Sequence, residues 1–168
     1  MTTLFQVQAF TKDGAGGNAA GVVCEASGLS EAAMLSIAAQ AGFSETAFVC
    51  ASDLADHRVR FFTPTREVNL CGHATIATYH LLLERKLIEP GSYSMDTLAG
   101  LQRVEVGEDG LVSMTQNPPA YGEVLEPGAV APVLGIEAAD LMDAEKMPIQ
   151  IASTGLHKIF VPMNSLEA

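Results

Sequence analysis

The sequence predicts an α+β protein in which short strands wrap around one buried helix, and three features predict it. The stretch from Ala74 to Lys86 carries Ile76, Ala77, Tyr79, Leu81, Leu82 and Leu83 spread around its circumference, and a helix that is apolar on every side is a buried one. Short segments on both sides of it either alternate apolar with polar residues or run apolar throughout, which is the strand pattern. Asp109-Gly110 stands between two such segments, and an Asp-Gly pair is a strong hairpin signal.

The elements follow in order. Leu4–Phe10 alternates Phe5, Val7 and Ala9 with Gln6 and Gln8 and reads as a strand. A glycine-rich turn, Asp13-Gly14-Ala15-Gly16-Gly17-Asn18, leads to an apolar strand over Gly21–Cys24. Ser30 is placed to cap a helix over Glu31–Ala41, with Gly42 just past its end. Glu45–Ala51 reads as a strand, and so does His57–Phe62, where Val59 and Phe61 alternate with Arg58 and Arg60. The buried helix ends near Leu87, ahead of Pro90-Gly91, and three strands follow at Ser92–Thr97, Leu101–Val106 and Leu111–Gln116.

At Asn117-Pro118-Pro119 two prolines remove two ladder donors and end the sheet. This sets a domain over 1–117 and the start of a second, truncated domain over 118–168. The second segment is acidic. It is expected to hold one helix, Glu137–Ala144, and one strand, His157–Val161, too few elements for a core of its own.

Composition excludes several function classes. With 48% apolar and 17% charged residues, the 168-residue chain suits a globular protein with a full core. A net charge of −11 repels nucleic-acid backbones and anionic membranes, so neither is expected as a partner. No run approaches the ~18 apolar residues of a spanning helix. The opening Met-Thr-Thr-Leu-Phe-Gln-Val lacks a basic region followed by an apolar core, so a cytoplasmic location is the expectation. Cys24, Cys50 and Cys71 have no Cys-x-x-Cys spacing, which argues against a disulfide framework or a zinc site, and no other metal-ligand spacing is visible. Cys24 and Cys50 read as small buried hydrophobes. Cys71 precedes a helix N-terminus, where a thiol's pKa tends to fall.

The chemistry-bearing residues cluster in two short segments. Residues 69–78 bring the Cys71 thiol, the His73 imidazole and the N–H groups of Gly72, His73 and Ala74 to one helix N-terminus. The first amides of a helix lack intrahelical partners, and the macrodipole makes that end positive, so it is prepared for a carboxylate or phosphate. His73 can move a proton near neutral pH, or it can simply hydrogen-bond there. Glu45 lies in Ser-Glu-Thr-Ala-Phe at the head of an apolar strand. Facing a pocket, it would lose solvation and rise in pKa toward general acid–base use; facing water, it is an ordinary strand-end glutamate. Asn18 follows Gly16-Gly17, which permit close backbone approach to a ligand or form a plain turn. No Gly-Lys-Ser/Thr follows, so this is no phosphate loop, and no Gly-x-Ser-x-Gly elbow is present. His57 reads as a solvated strand residue, His80 as a satisfied core histidine, and His157 has no visible partner.

Taken together, these segments resemble a known family. The series is Val7-Gln8-Ala9-Phe10-Thr11, Gly17-Asn18, Ser44-Glu45-Thr46-Ala47-Phe48, Arg60-Phe61-Phe62-Thr63-Pro64, Glu67-Val68-Asn69-Leu70-Cys71-Gly72-His73-Ala74-Thr75 and Ser153-Thr154-Gly155-Leu156. It is similar to the phenazine-biosynthesis (PhzF-like) family, whose relatives include diaminopimelate epimerase and proline racemase. The resemblance implies a diaminopimelate-epimerase-like fold of two domains, each a β-roll or barrel around a central helix, with the active site between them. It implies that Glu45 is the acid/base of a cofactor-independent isomerase that moves a proton between carbons of a small carboxylated substrate. His73 would assist, the amides of Gly72, His73 and Ala74 would hold the carboxylate, and Asn18 and Cys71 would line the same pocket. His73 stands where the epimerases have asparagine, so the motif sides with the PhzF-like branch, in which Cys71 is a bystander. Asn69 stands where the family usually has an aspartate. The family's second domain carries an acidic Gly-Ser-containing motif that this sequence is expected not to reach.

Three function classes follow. The first is the isomerase, and the second is a non-catalytic homodimeric binding module. The third is a racemase or epimerase that depends on Cys71. No cofactor and no metal are expected in the first; a second copy of the chain, forming a homodimer, is the expected protein partner.

Overall fold

The alternating Phe5, Val7 and Ala9 form strand β1 (Phe5–Ala9) in the computed structural model, which describes residues 2–155 and 157–165. The glycine-rich turn returns the chain antiparallel as β2 (Asn18–Val23). Gly17 turns it with φ +87°, and a Cβ there would lie 2.5 Å from the Ala9 carbonyl oxygen, so only glycine fits. Helix α1 (Glu31–Ala41) has the ends the sequence predicts: the Ala33 N–H donates to Ser30 Oγ at 3.2 Å, and Gly42 closes it at φ 69°. Strand β3 (Thr46–Cys50) then runs parallel to β2, and β4 (His57–Phe62) and the short β5 (Glu67–Val68) follow antiparallel.

Helix α2 (Gly72–Glu84) is the central helix, and β6 (Gly91–Thr97), β7 (Gly100–Val106) and β8 (Val112–Met114) complete the sheet. The strand order is β1-β2-β3-β4-β6-β7-β8, with β5 beside β4. Helix α2 packs on β1, β2, β3, β7 and β8, so the sheet curls around it as a half-barrel whose free edges are β1 and β8. This is the α+β roll around a buried helix.

Adjacent residues of the inner strands face opposite layers. Val22, Ala47 and Phe61 face α2 with Ala74, Ala77, Tyr79 and Leu81, while Val23, Phe48 and Phe62 pack under α1 with Met34 and Ala38. A strand buried on both faces reads as one continuous apolar run, which is why Thr46–Cys50 shows no alternation. Arg60 ties the outer layer together, donating to Glu67 at 2.7 and 2.6 Å and to Glu31 of α1 at 2.8 Å.

One expectation about α2 is corrected. It is not covered all round: His80 and Glu84 are exposed, because the half-barrel leaves the face toward the β1 edge open.

The chain forms a second compact unit from Gln116 on, the first ending at Thr115. Here β9 (Ala120–Leu125), β10 (Ile149–Ser153) and β11 (His157–Phe160) form an antiparallel sheet in the order β11-β10-β9. Its α-helix, α3, spans Pro127–Leu134, not Glu137–Ala144. Pro127 at the helix start and Gly135 in the left-handed region bound it, whereas the acids beyond are used up in a tight turn. The Glu137 and Asp140 side chains each accept from the other's backbone N–H across the 3-10 turn Ala138–Asp140, and Leu141 then leaves in an extended conformation. Strands β9 and β10 were also outside the expectation. Among the described residues the buried apolar cluster of this unit is Ala131, Leu141 and Ile149. Leu156 of the Ser-Thr-Gly-Leu segment and residues 166–168 lie outside the described residues. No described helix is long and apolar enough to cross a membrane.

Candidate functional site

Glu45 is delivered by the backbone. The chain leaves α1 through Gly42, and the Glu45 carbonyl accepts the Gly21 N–H at 3.1 Å immediately before β3 begins. That approach of β2 to β3 requires glycine at position 21, since a Cβ there would lie 2.7 Å from Thr46 Oγ1 and 3.0 Å from its Cγ2.

Cys71 and His73 come from the start of α2. Cys71 is the N-cap at φ −140° and ψ 114°, and its carbonyl accepts from both the Thr75 N–H (3.0 Å) and the buried Thr75 hydroxyl (2.8 Å). The Ala99 N–H donates to the Asn69 carbonyl at 3.2 Å and ties down the approach. No side chain caps this helix, and its first turn holds no acidic residue. The Ala74 and His73 amides lie against the Cys71 sulfur, and because a thiol is a weak acceptor a stronger anion can take them over.

The three side chains converge. Cys71 Sγ lies 3.3 Å from His73 Nδ1, and His73 Nε2 lies 3.6 Å from Glu45 Oε2. One donor atom of each lies within 4.8 Å of the other two, although positions 45, 71 and 73 show no metal-ligand spacing in the sequence. The His73 side chain is 11% exposed and that of Glu45 25%, which leaves the carboxylate reachable from solvent. Among the described residues His73 Nε2 and Thr46 Oγ1 are buried without a hydrogen-bond partner.

The Cys71 thiol behaves opposite to expectation. Burial first, and the nearby Glu45 carboxylate second, push its pKa up to about 12, outweighing the Ala74 and His73 amides that favour the thiolate. The helix terminus is present, but desolvation is the larger effect.

The remaining residues fall out unevenly. Asn18 is the exposed first residue of β2, opposite Ala9 and at the end of β2 that precedes the Gly21–Glu45 contact. Among the described residues its side chain makes no hydrogen bond, so it joins the cluster by position only. The two strand-and-helix histidines exchange roles. His57 is half-buried, with Nδ1 3.4 Å from the Tyr79 hydroxyl and the rings edge to face at 5.6 Å, while His80 is exposed. Sequence reasoning missed Gly21, Thr46 and Thr75 as supports. Thr46 and Thr75 lie in the quoted Ser-Glu-Thr-Ala-Phe and Cys-Gly-His-Ala-Thr runs, whereas Gly21 could be recognised only from the strand pairing.

Comparison with known proteins gives a consistent picture. The family model described as phenazine biosynthesis-like protein (PhzC-PhzF) matches residues 7–168. YfhB of Bacillus subtilis, named an uncharacterized isomerase, is 40% identical over 173 residues, covering 98% of this chain and 57% of YfhB. The crystal structure of a PhzF-family phenazine biosynthesis protein of Bacillus anthracis matches with a TM-score of 0.82 at 38% identity, over 98% of this chain and 56% of that one. A predicted epimerase of Pseudomonas aeruginosa matches with a TM-score of 0.83 at 22% identity, over 98% and 60%, and so shares the fold. The chain spans little more than half the length of the curated relatives it matches.

Proposed function

The chain belongs to the phenazine biosynthesis-like (PhzC-PhzF) family, and from that premise we propose that it carries the proton-transfer half-site of a cofactor-independent isomerase acting on a small carboxylated molecule. The observation that carries this reading is the convergence of Glu45, His73 and Cys71 at a helix N-terminus that no side chain caps.

In this reading the amides of Gly72, His73 and Ala74 hold the substrate carboxylate. Removing a proton from a carbon adjacent to or conjugated with that group builds negative charge. Fixed amides at the positive end of α2 favour it without reorganising, and one such donor is worth about 10²–10³ in rate. Glu45 takes the proton as the C–H bond breaks, and returns it to a second carbon as the double bond shifts, so nothing is consumed. General acid–base action of this kind contributes about 10²–10⁴.

His73 orients the base. His73 Nδ1 pairs with the Cys71 thiol and Nε2 faces Glu45 Oε2, so in this reading the ring bridges the two; with the protonated thiol as donor, the ring proton lies on the Glu45 side. A thiol with a pKa near 12 is a poor base at neutral pH, which favours glutamate over Cys71 as the proton carrier.

The test is solvent-deuterium incorporation, followed by NMR, into a panel of small carboxylic acids that have an exchangeable C–H next to or conjugated with the carboxyl group. Exchange into at least one, reduced at least about 100-fold by Glu45→Gln, is expected. Exchange no faster with the wild type than with Glu45→Gln overturns the isomerase reading.

A further inference from the structure

A thiol, an imidazole and a carboxylate meeting within 4.8 Å is also a set of metal donors. Tetrahedral coordination of a zinc-sized dication, with bonds of about 2.0–2.3 Å, places its donors about 3.5 Å apart. The imidazole lies between the other two donors, with Cys71 Sγ 3.3 Å from Nδ1 and Glu45 Oε2 3.6 Å from Nε2, and one donor atom from each residue already lies within 4.8 Å of the other two. Within the cluster His73 Nε2 is buried and makes no hydrogen bond among the described residues, with Glu45 Oε2 at 3.6 Å just beyond hydrogen-bond reach. A buried polar atom without a partner is costly, and a ligand at the site would relieve it.

We propose that Glu45, Cys71 and His73 form a three-donor site for a borderline dication of the Zn2+ type, with the fourth position open to water or to a carboxylate. A mixed sulfur, nitrogen and oxygen set suits zinc-like ions over Mg2+ or Ca2+, which prefer all-oxygen shells. Rotation of the imidazole aims one nitrogen between the sulfur and the carboxylate. On binding, the Cys71 S–H proton leaves to water as the sulfur–metal bond forms, and no electron is transferred. The thiolate and the Glu45 carboxylate balance the two positive charges. The positive end of α2 opposes the cation and weakens the site relative to an all-cysteine structural one. Occupancy removes the carboxylate that proton transfer needs, so the ion is a reversible inhibitor; this consequence rests on the isomerase reading, whereas binding does not.

The experiment titrates Co2+, a coloured stand-in for Zn2+, into the chelator-treated 168-residue chain. A thiolate-to-cobalt charge-transfer band should grow to one ion per chain and be displaced by Zn2+. It should persist in the Cys24→Ser/Cys50→Ser double variant, vanish in Cys71→Ser and need at least about tenfold more metal in Glu45→Gln. In the wild type, Zn2+ should also protect Cys71 from alkylation, read by peptide mass. A missing band, a band that survives Cys71→Ser, or unchanged Cys71 alkylation with Zn2+ overturns the site. Metal binding is read without substrate, and deuterium exchange without metal, so the two readings fail separately.

Discussion

Cys71 and His57 show how burial decides what a titratable residue does. Burial pushes the Cys71 thiol up to about 12, so its thiolate fraction at pH 8 is far below that of a free thiol. Iodoacetamide should therefore modify Cys71 at least about 100-fold more slowly in the folded chain than in urea, measured by peptide mass. Equal rates would mean that the folded thiol is as accessible and as acidic as a free one. Burial acts on His57 in the other direction, holding its pKa below the ordinary 6.5, with the Asp56 charge a smaller opposing influence. Below 6.5 the unfolded chain binds the proton that the folded chain refuses. The contribution of neutral His57 to stability is thus full above pH 6.5 and is lost as pH falls through the folded value. Urea unfolding at pH 7.5 and pH 5 should show a smaller acid-side loss in His57→Phe than in the wild type.

Helices and strands differ in how openly the sequence declares them. Helix α1 was legible to the residue because Ser30 and Gly42 are chemical stop signals at its ends. Ser30→Ala should cost about 1 kcal/mol in chemical denaturation, by loss of the bond from the Ala33 N–H. Helix α3 was not legible: Pro132 sits inside it, and the acids after it look like a helical start but cap a single turn. For the site, the Cys71–His73 half is local and could be read from seven residues around it, whereas the direction Glu45 faces depends on the β2–β3 pairing. That pairing hinges on Gly21. Gly21→Ala should destabilise by about 1–3 kcal/mol, because Thr46 is fully buried and cannot yield. Unchanged stability would show that β2 and β3 are looser than this. His57 and His80 could not be told apart by pattern, since which side of α2 stays open depends on where the half-barrel ends.

Across the molecule, stability and chemistry share one element. Helix α2 carries seven buried residues and also presents the Cys71–Ala74 terminus, so the site stands on an element anchored in the core. Native-state hydrogen exchange should be slowest in α2 and β3 and fastest in β9 and β11, whose residues are almost all exposed. In the proposed mechanism Glu45, not Cys71, carries the proton. The most direct test of this is the solvent-deuterium exchange rate of Glu45→Gln beside that of Cys71→Ser, on one carboxylated substrate at pH 7.5. Glutamate chemistry requires a loss of at least about 100-fold in Glu45→Gln and of no more than about tenfold in Cys71→Ser. The reverse order, with Cys71→Ser silent and Glu45→Gln active, would contradict it.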